Sequence, residues 1–120
     1  MATPQQLWNI GAILGVSGIA LGAYGAHKIK NSDKLKSWEV ATYYQLIHSI
    51  ALVCFSNLRN PVTNKSPTLA GSLIAMGTII FSGSIYFLAW NNKSKLKARI
   101  GFITPLGGIL MMAGWAVLLF

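Results

Sequence analysis

His48 stands in the middle of an apolar run from about Val40 to Leu58, with Tyr44 one helical turn before it and Gln45 between. An ionisable side chain buried in such a run costs free energy, which makes it a functional candidate by default. Two chemistries suit it. One is proton transfer or ligand contact; the other is structural, a neutral imidazole bonded to tyrosine, serine or a carbonyl. His27 and Glu39 flank the first polar gap and can pair across it, pinning two segments together. Two histidines and a glutamate do not match metal-ligand spacing. A bis-histidine haem is poorly served, because His48 should lie roughly 13 Å deeper than Glu39 along a helix, while His27 is near the boundary. Ser82 and Ser84 have no base nearby in sequence, and the glycine clusters lie inside apolar runs rather than in phosphate-cradling loops. No catalytic set, metal or cofactor is expected. Cys54 lies in an apolar run and is expected to act as a small buried hydrophobe.

The elements that must position these residues are written in the hydropathy. The chain has 120 residues, 53% hydrophobic and 10% charged, where soluble domains carry about 25% charged residues. It lacks the polar surface to cover itself in water, so its apolar stretches must face lipid. Four such stretches are expected as helices, at about 7–27, 38–58, 67–90 and 103–120. The first is long enough to cross a hydrocarbon core of about 30 Å. The second is expected to begin at Trp38 or, as an interfacial turn, near Asp33; Asn60-Pro61 ends it. Ser66-Pro67 and Thr104-Pro105 each read as a cap followed by proline at the first helical position. A start near Ile100 with a bend at Pro105 is the alternative for the fourth.

Short gaps make neighbouring helices antiparallel. The expected fold is therefore all-α: one domain, an integral membrane four-helix up-down bundle. The net charge of +8 is one-sided. Lys28, Lys30, Lys34, Lys36, Lys93, Lys95, Lys97 and Arg99 fall in the first and third gaps, against Arg59 and Lys65 in the second. By the positive-inside rule the lysine-rich gaps face the bacterial cytoplasm or the mitochondrial matrix, and both termini lie on the opposite side. Tyr24, Trp38, Tyr43, Tyr86 and Trp90 are expected in one interfacial aromatic belt, Trp8 and Trp115 in the other. The lysines suit anionic lipid headgroups, with cardiolipin as an example. Nucleic acid is not expected as a partner, since no aromatic–basic platform accompanies them.

Glycines recur at 11, 15, 18, 22 and 25, steps of four and three that place them on one helix face. Gly71, Ala75, Thr78 and Ser82 repeat the rhythm, and Gly107, Gly108 and Gly114 add a third small-residue face. Such faces let helices approach closely in lipid. They serve either packing within the bundle or association with another chain.

Several stretches together resemble one family. Gly22-Ala23-Tyr24-Gly25-Ala26-His27 resembles its GAxGAH motif, and Trp38-Glu39-Val40-Ala41 with Tyr44 and His48 its W-E-x-A-x-x-Y-x-x-x-H stretch. Phe81-Ser82-Gly83-Ser84-Ile85-Tyr86 resembles FSGSxY, and Ile103-Thr104-Pro105-Leu106-Gly107-Gly108 with Gly114-Trp115 resembles ITPxGG…GW. The family is domain-of-unknown-function 423, which includes the transmembrane-protein-256-like proteins of eukaryotes. The resemblance covers nearly the whole chain in order. It implies a four-helix inner-membrane protein and no enzyme activity, and it draws attention to His27, Tyr44 and His48. Bacterial members lie in the plasma membrane, and eukaryotic members look mitochondrial. The composition rich in Asn, Ser and Lys, and the end straight after the fourth segment, favour the mitochondrial inner membrane. The leading functional expectation is a non-enzymatic accessory subunit of a larger membrane complex, such as a respiratory one, packing through its glycine faces. The second is a small transporter or proton-handling protein using His48, Tyr44 and Glu39. A membrane enzyme or haem carrier is the third.

Overall fold

Thr3 starts the first helix. Its hydroxyl accepts from the Gln6 N–H at 3.2 Å, and the Gln6 side chain accepts from the Thr3 N–H at 2.9 Å, a reciprocal cap followed by Pro4. The computed structural model describes residues 1–90 and 101–120. Among them are four helices and no strand: α1 (Pro4–Lys28), α2 (Ser32–Asn57), α3 (Thr68–Trp90) and α4 (Ile103–Val117). Lys93, Lys95, Lys97 and Arg99 lie outside the described residues.

α2 starts at the earlier of its two expected positions, and α4 starts where expected but without the expected cap. α2 begins at Ser32, because the Asn31 side chain accepts from the N–H groups of Asp33 and Lys34 at 3.0 and 3.2 Å. Asp33 then sits in the first turn, where a negative charge suits the helix dipole. The charged stretch before Trp38 is thus helical, and not merely an interfacial turn. In α4, Thr104 is not the cap. It lies inside the helix, and its hydroxyl is hydrogen-bonded to Ser84 on α3. Pro105 falls in the first turn, where a missing N–H is tolerated.

α1, α2 and α3 pack in sequence, α4 packs on α3, and α1 touches α3 lightly. Gly25 of α1 backs onto Trp38, Gly22 onto Thr42, Gly18 onto Gln45 and Leu46, and Gly11 onto Ser49 and Val53. Rising numbers on α1 thus meet falling numbers on α2. Gly77 and Gly107 bring α3 and α4 together, and Gly114 meets Ala70 and Ile74. A core of Leu7, Ala51, Leu52, Phe55, Ile74 and Ala75 closes one end, with Leu118 against it.

Polarity runs opposite to that of a soluble bundle. Thr42, Gln45, His48, Ser49, Thr78, Ser82 and Ser84 are buried, while Val16 is 74% and Ile19 68% exposed. Outward apolar ridges of this extent suit hydrocarbon rather than water. α1 and α3 are long and apolar enough to cross a membrane. α2 is less apolar because its hydroxyls, amide and imidazole point inward, and because its first turns carry Asp33, Lys34, Lys36 and Glu39.

The α3–α4 contact makes opposite predictions for two adjacent glycines. A Cβ on Gly107 would lie 2.5 Å from the Phe81 backbone nitrogen, whereas one on Gly108 would meet only Phe81 Cδ2 at 3.9 Å. Gly107→Ala should destabilise by about 1–3 kcal/mol, as overpacking does. Gly108→Ala should be neutral or stabilise by up to about 1 kcal/mol through helix propensity. Reversible unfolding in mixed micelles measures both.

Candidate functional site

Two runs of side chains on α2 face inward. The first is Trp38, Thr42, Gln45 and Ser49, opposite the glycine face of α1. The missing side chains at Gly25 and Gly18 let α2 reach the backbone of α1. The indole N–H of Trp38 donates to the Leu21 carbonyl at 2.6 Å. The Gln45 amide donates to the Leu14 carbonyl at 2.9 Å and to Ser17 Oγ at 2.8 Å. From α3, the Tyr86 hydroxyl donates to Gln45 Oε1 at 2.7 Å, with Thr42 Oγ1 beside it at 3.3 Å. Ser82 donates to the Ala41 carbonyl at 2.8 Å. Gln45 therefore ties three helices through one side chain.

The second run is His48 and its neighbours. The ring is 6% exposed. Its Nε2 lies 3.0 Å from Trp115 Nε1 on α4, and its Nδ1 lies 2.6 Å from the Tyr44 carbonyl. An indole N–H only donates and a carbonyl only accepts. Nε2 is therefore the acceptor and Nδ1 carries the hydrogen, a neutral tautomer fixed from both sides. A second proton reaching Nε2 would have to displace Trp115. Tyr44 stacks beside the imidazole and against Phe81 and is half-exposed. Phe55 meets Trp115 edge-on.

The other sequence-predicted residues are not gathered into this site. His27 and Glu39 are both exposed and form no ion pair among the described residues. Lys28, Lys30 and Lys36 are exposed at the same end of the molecule, while Lys34 is half-buried against a groove that Asp33, Ile85 and Pro105 also line. Trp38 was expected in an interfacial belt but is 2% exposed, because its ring fills the space Gly25 leaves and contacts Tyr24 and Tyr86. Trp115 bonds to His48 but stays 43% exposed, and Cys54 is exposed, not buried. Of the predicted packing glycines, Gly11, Gly18, Gly25, Gly107 and Gly114 meet a neighbour closely. Gly15 and Gly22 are looser, and Gly108 is open. Gly71 and Gly77 are close contacts too, against Leu7 and against α4.

Gln45 is the residue that sequence reasoning undervalued. Its signal was its place in the run 38, 42, 45, 49, whose steps of four, three and four match the glycine spacing on α1. Among the described residues no three His, Cys, Asp or Glu side chains come together. The buried hydroxyl of Thr78 has no hydrogen-bond partner among them. The arrangement is suited to holding helices together, with its amide and imidazole already engaged.

Comparison with known proteins gives the chain a family. It matches the model described as "Protein of unknown function (DUF423)" over residues 21–108. A UPF0382 membrane protein of Schizosaccharomyces pombe is 38% identical, over 96% of this chain and 99% of its own length. UPF0382 membrane proteins of Staphylococcus epidermidis and Bacillus subtilis are 41% and 34% identical, each over 91% of this chain and 88% and 89% of their own. No solved structure matches.

Two substitutions separate satisfied from unsatisfied polarity. Gln45→Leu removes three hydrogen bonds and should cost about 2 kcal/mol, at about 0.6 kcal/mol for an average bond between membrane helices. Thr78→Val keeps the shape and removes an orphaned hydroxyl, and should stabilise by about 1 kcal/mol. Denaturation of the two purified variants in micelles reads both signs.

Proposed function

We propose that this chain, which belongs to the DUF423 family, is a non-enzymatic structural or accessory component of a larger membrane complex. Its four helices cross the bilayer in up-down order, with both termini opposite the lysine-rich gaps. The observation that carries the reading is the engagement of His48. With one ring nitrogen on the Tyr44 carbonyl and the other on Trp115, the imidazole has no free site for a solute or a travelling proton. Glu39, its partner in a proton-handling scheme, is exposed, and Tyr44 is half-exposed and meets the imidazole through ring stacking.

The geometry changes how such a component would dock. The closest glycine contacts are filled from within, by α2 against α1 and by α4 against α3. A partner must therefore use an outward ridge. α1 offers Ile13, Val16 and Ile19, all well exposed. Lys28, Lys30, Lys34 and Lys36 at one end, with Lys93, Lys95, Lys97 and Arg99 in the third gap, hold anionic headgroups such as those of cardiolipin. The composition supports a mitochondrial inner membrane, with a respiratory complex as the assembly; the bacterial plasma membrane is the alternative.

Native electrophoresis of membranes solubilised in mild detergent should place the chain in a band far above its own mass. Migration only as a free small protein would count against the accessory role. In proteoliposomes, His48→Gln should leave proton flux equal to that of the unsubstituted chain, and a marked fall would favour a proton carrier instead.

A further inference from the structure

A second feature lies at the opposite end from the lysines. Between the α2–α3 connection, the start of α3 and the end of α4 is an open groove of about 630 Å³. Its walls include Phe55, Leu69, Val117 and Leu118, and its lining also includes Arg59 and Lys65. These two are the only cations in the second polar gap.

The connection is built rather than loose. The Asn60 side chain accepts from the N–H groups of Val62 and Thr63 at 2.8 and 3.0 Å, and its backbone N–H donates to the Lys65 carbonyl at 2.9 Å. Asn64 takes a left-handed φ of 56°, which asparagine tolerates. Its carbonyl accepts from Arg59 Nη1 at 3.1 Å, tying the guanidinium to the connection whose Lys65 lines the same groove. The first turn of α3 lines the same groove with Thr68, Leu69 and Ala70. The Thr68 N–H already donates to the Ser66 carbonyl at 2.8 Å, so the helix start adds chiefly its partial positive charge, which favours an anion.

No acidic side chain is paired with this cluster among the described residues. No aspartate or glutamate follows Glu39, and neither cation is in an ion pair among the described residues. Positive charge is thus set directly beside an apolar trough, at the end of a membrane protein where headgroups meet acyl chains. We infer that this groove is a binding site for an anionic phospholipid, its phosphate on Arg59 and Lys65 and an acyl chain along Phe55, Leu69 and Leu118. The site is separate from the lysine-rich end. It requires only that the chain sits in a bilayer, so it stands or falls independently of the accessory role.

Photoactivatable phosphatidylglycerol, with the reactive group on an acyl chain, tests the site in phosphatidylcholine vesicles containing the full chain. At subsaturating probe, crosslinks should fall on the segment around Phe55 to Leu69 and on Val117 and Leu118. The double variant Arg59→Gln, Lys65→Gln should lower their yield roughly 30-fold, from about 1 kcal/mol for each basic residue. Arg59→Lys with Lys65→Arg should restore it. If the glutamine pair does not fold, Lys65→Gln alone should still show a fall of about five-fold. Photoactivatable phosphatidylcholine should label these residues weakly and to the same extent in every variant. Excess glycerol phosphate should not compete. Full labelling in the foldable glutamine variant overturns the site, and so does equal labelling by phosphatidylcholine. Competition by glycerol phosphate would make it a site for free anions and overturn the lipid assignment.

Discussion

The fold depends on side chains that are absent. At Gly18 and Gly25 a Cβ would collide with Leu46 and Trp38, and without it α2 comes close enough to bond the backbone of α1. The Leu14 and Leu21 carbonyls then receive Gln45 and Trp38. A carbonyl already bonded within its helix has a second lone pair, so these bonds leave the α1 ladder intact. In lipid, where apolar association between helices gains little, close packing and inter-helix hydrogen bonds are the available sources of cohesion. Here both come from one contact.

That contact organises the rest. Gln45 is oriented by α1 and so presents its carbonyl oxygen to Tyr86 on α3. Trp38, seated in the Gly25 notch, gives Tyr86 and Tyr24 a ring to pack on, and Tyr24 stacks in turn on Trp90. α3 then carries α4 through Gly77 and Gly107, and α4 returns to α2 through Trp115 and His48.

Much of this was legible in the sequence, and the failures have physical causes. The glycine steps on α1 announced a close-packed face, since few other roles need five glycines at helical spacing. Their partner was harder to see. Trp38 has the composition of an interfacial residue, and only the Gly25 notch turns it into a core one. His48 drew attention because an ionisable group in an apolar run is rare, while Gln45, uncharged and adjacent, holds more of the structure together. The start of α2 was obscured because Asp33, Lys34 and Lys36 interrupt the apolar pattern, although Asn31 is a sound cap. Thr104 looked like a cap because local sequence cannot show that its hydroxyl is needed by Ser84. The groove at Arg59 had no sequence signature, since it is assembled from segments far apart in the chain.

The polarity of α2 has a consequence for biogenesis. Under the proposed topology, α1 emerges first as a span whose inner face is mostly bare backbone. α2 follows with the Gln45 amide and the Trp38 indole N–H, which hydrocarbon would leave unsatisfied. The Gln45 and Trp38 acceptors lie on α1, only one short turn upstream. The two are therefore best integrated together, as a hairpin whose first member shields the second during its transfer from the insertion machinery to the lipid. A substitution that blocks the notch at Gly18 or Gly25 would then act before any folded bundle exists, as a failure of membrane integration.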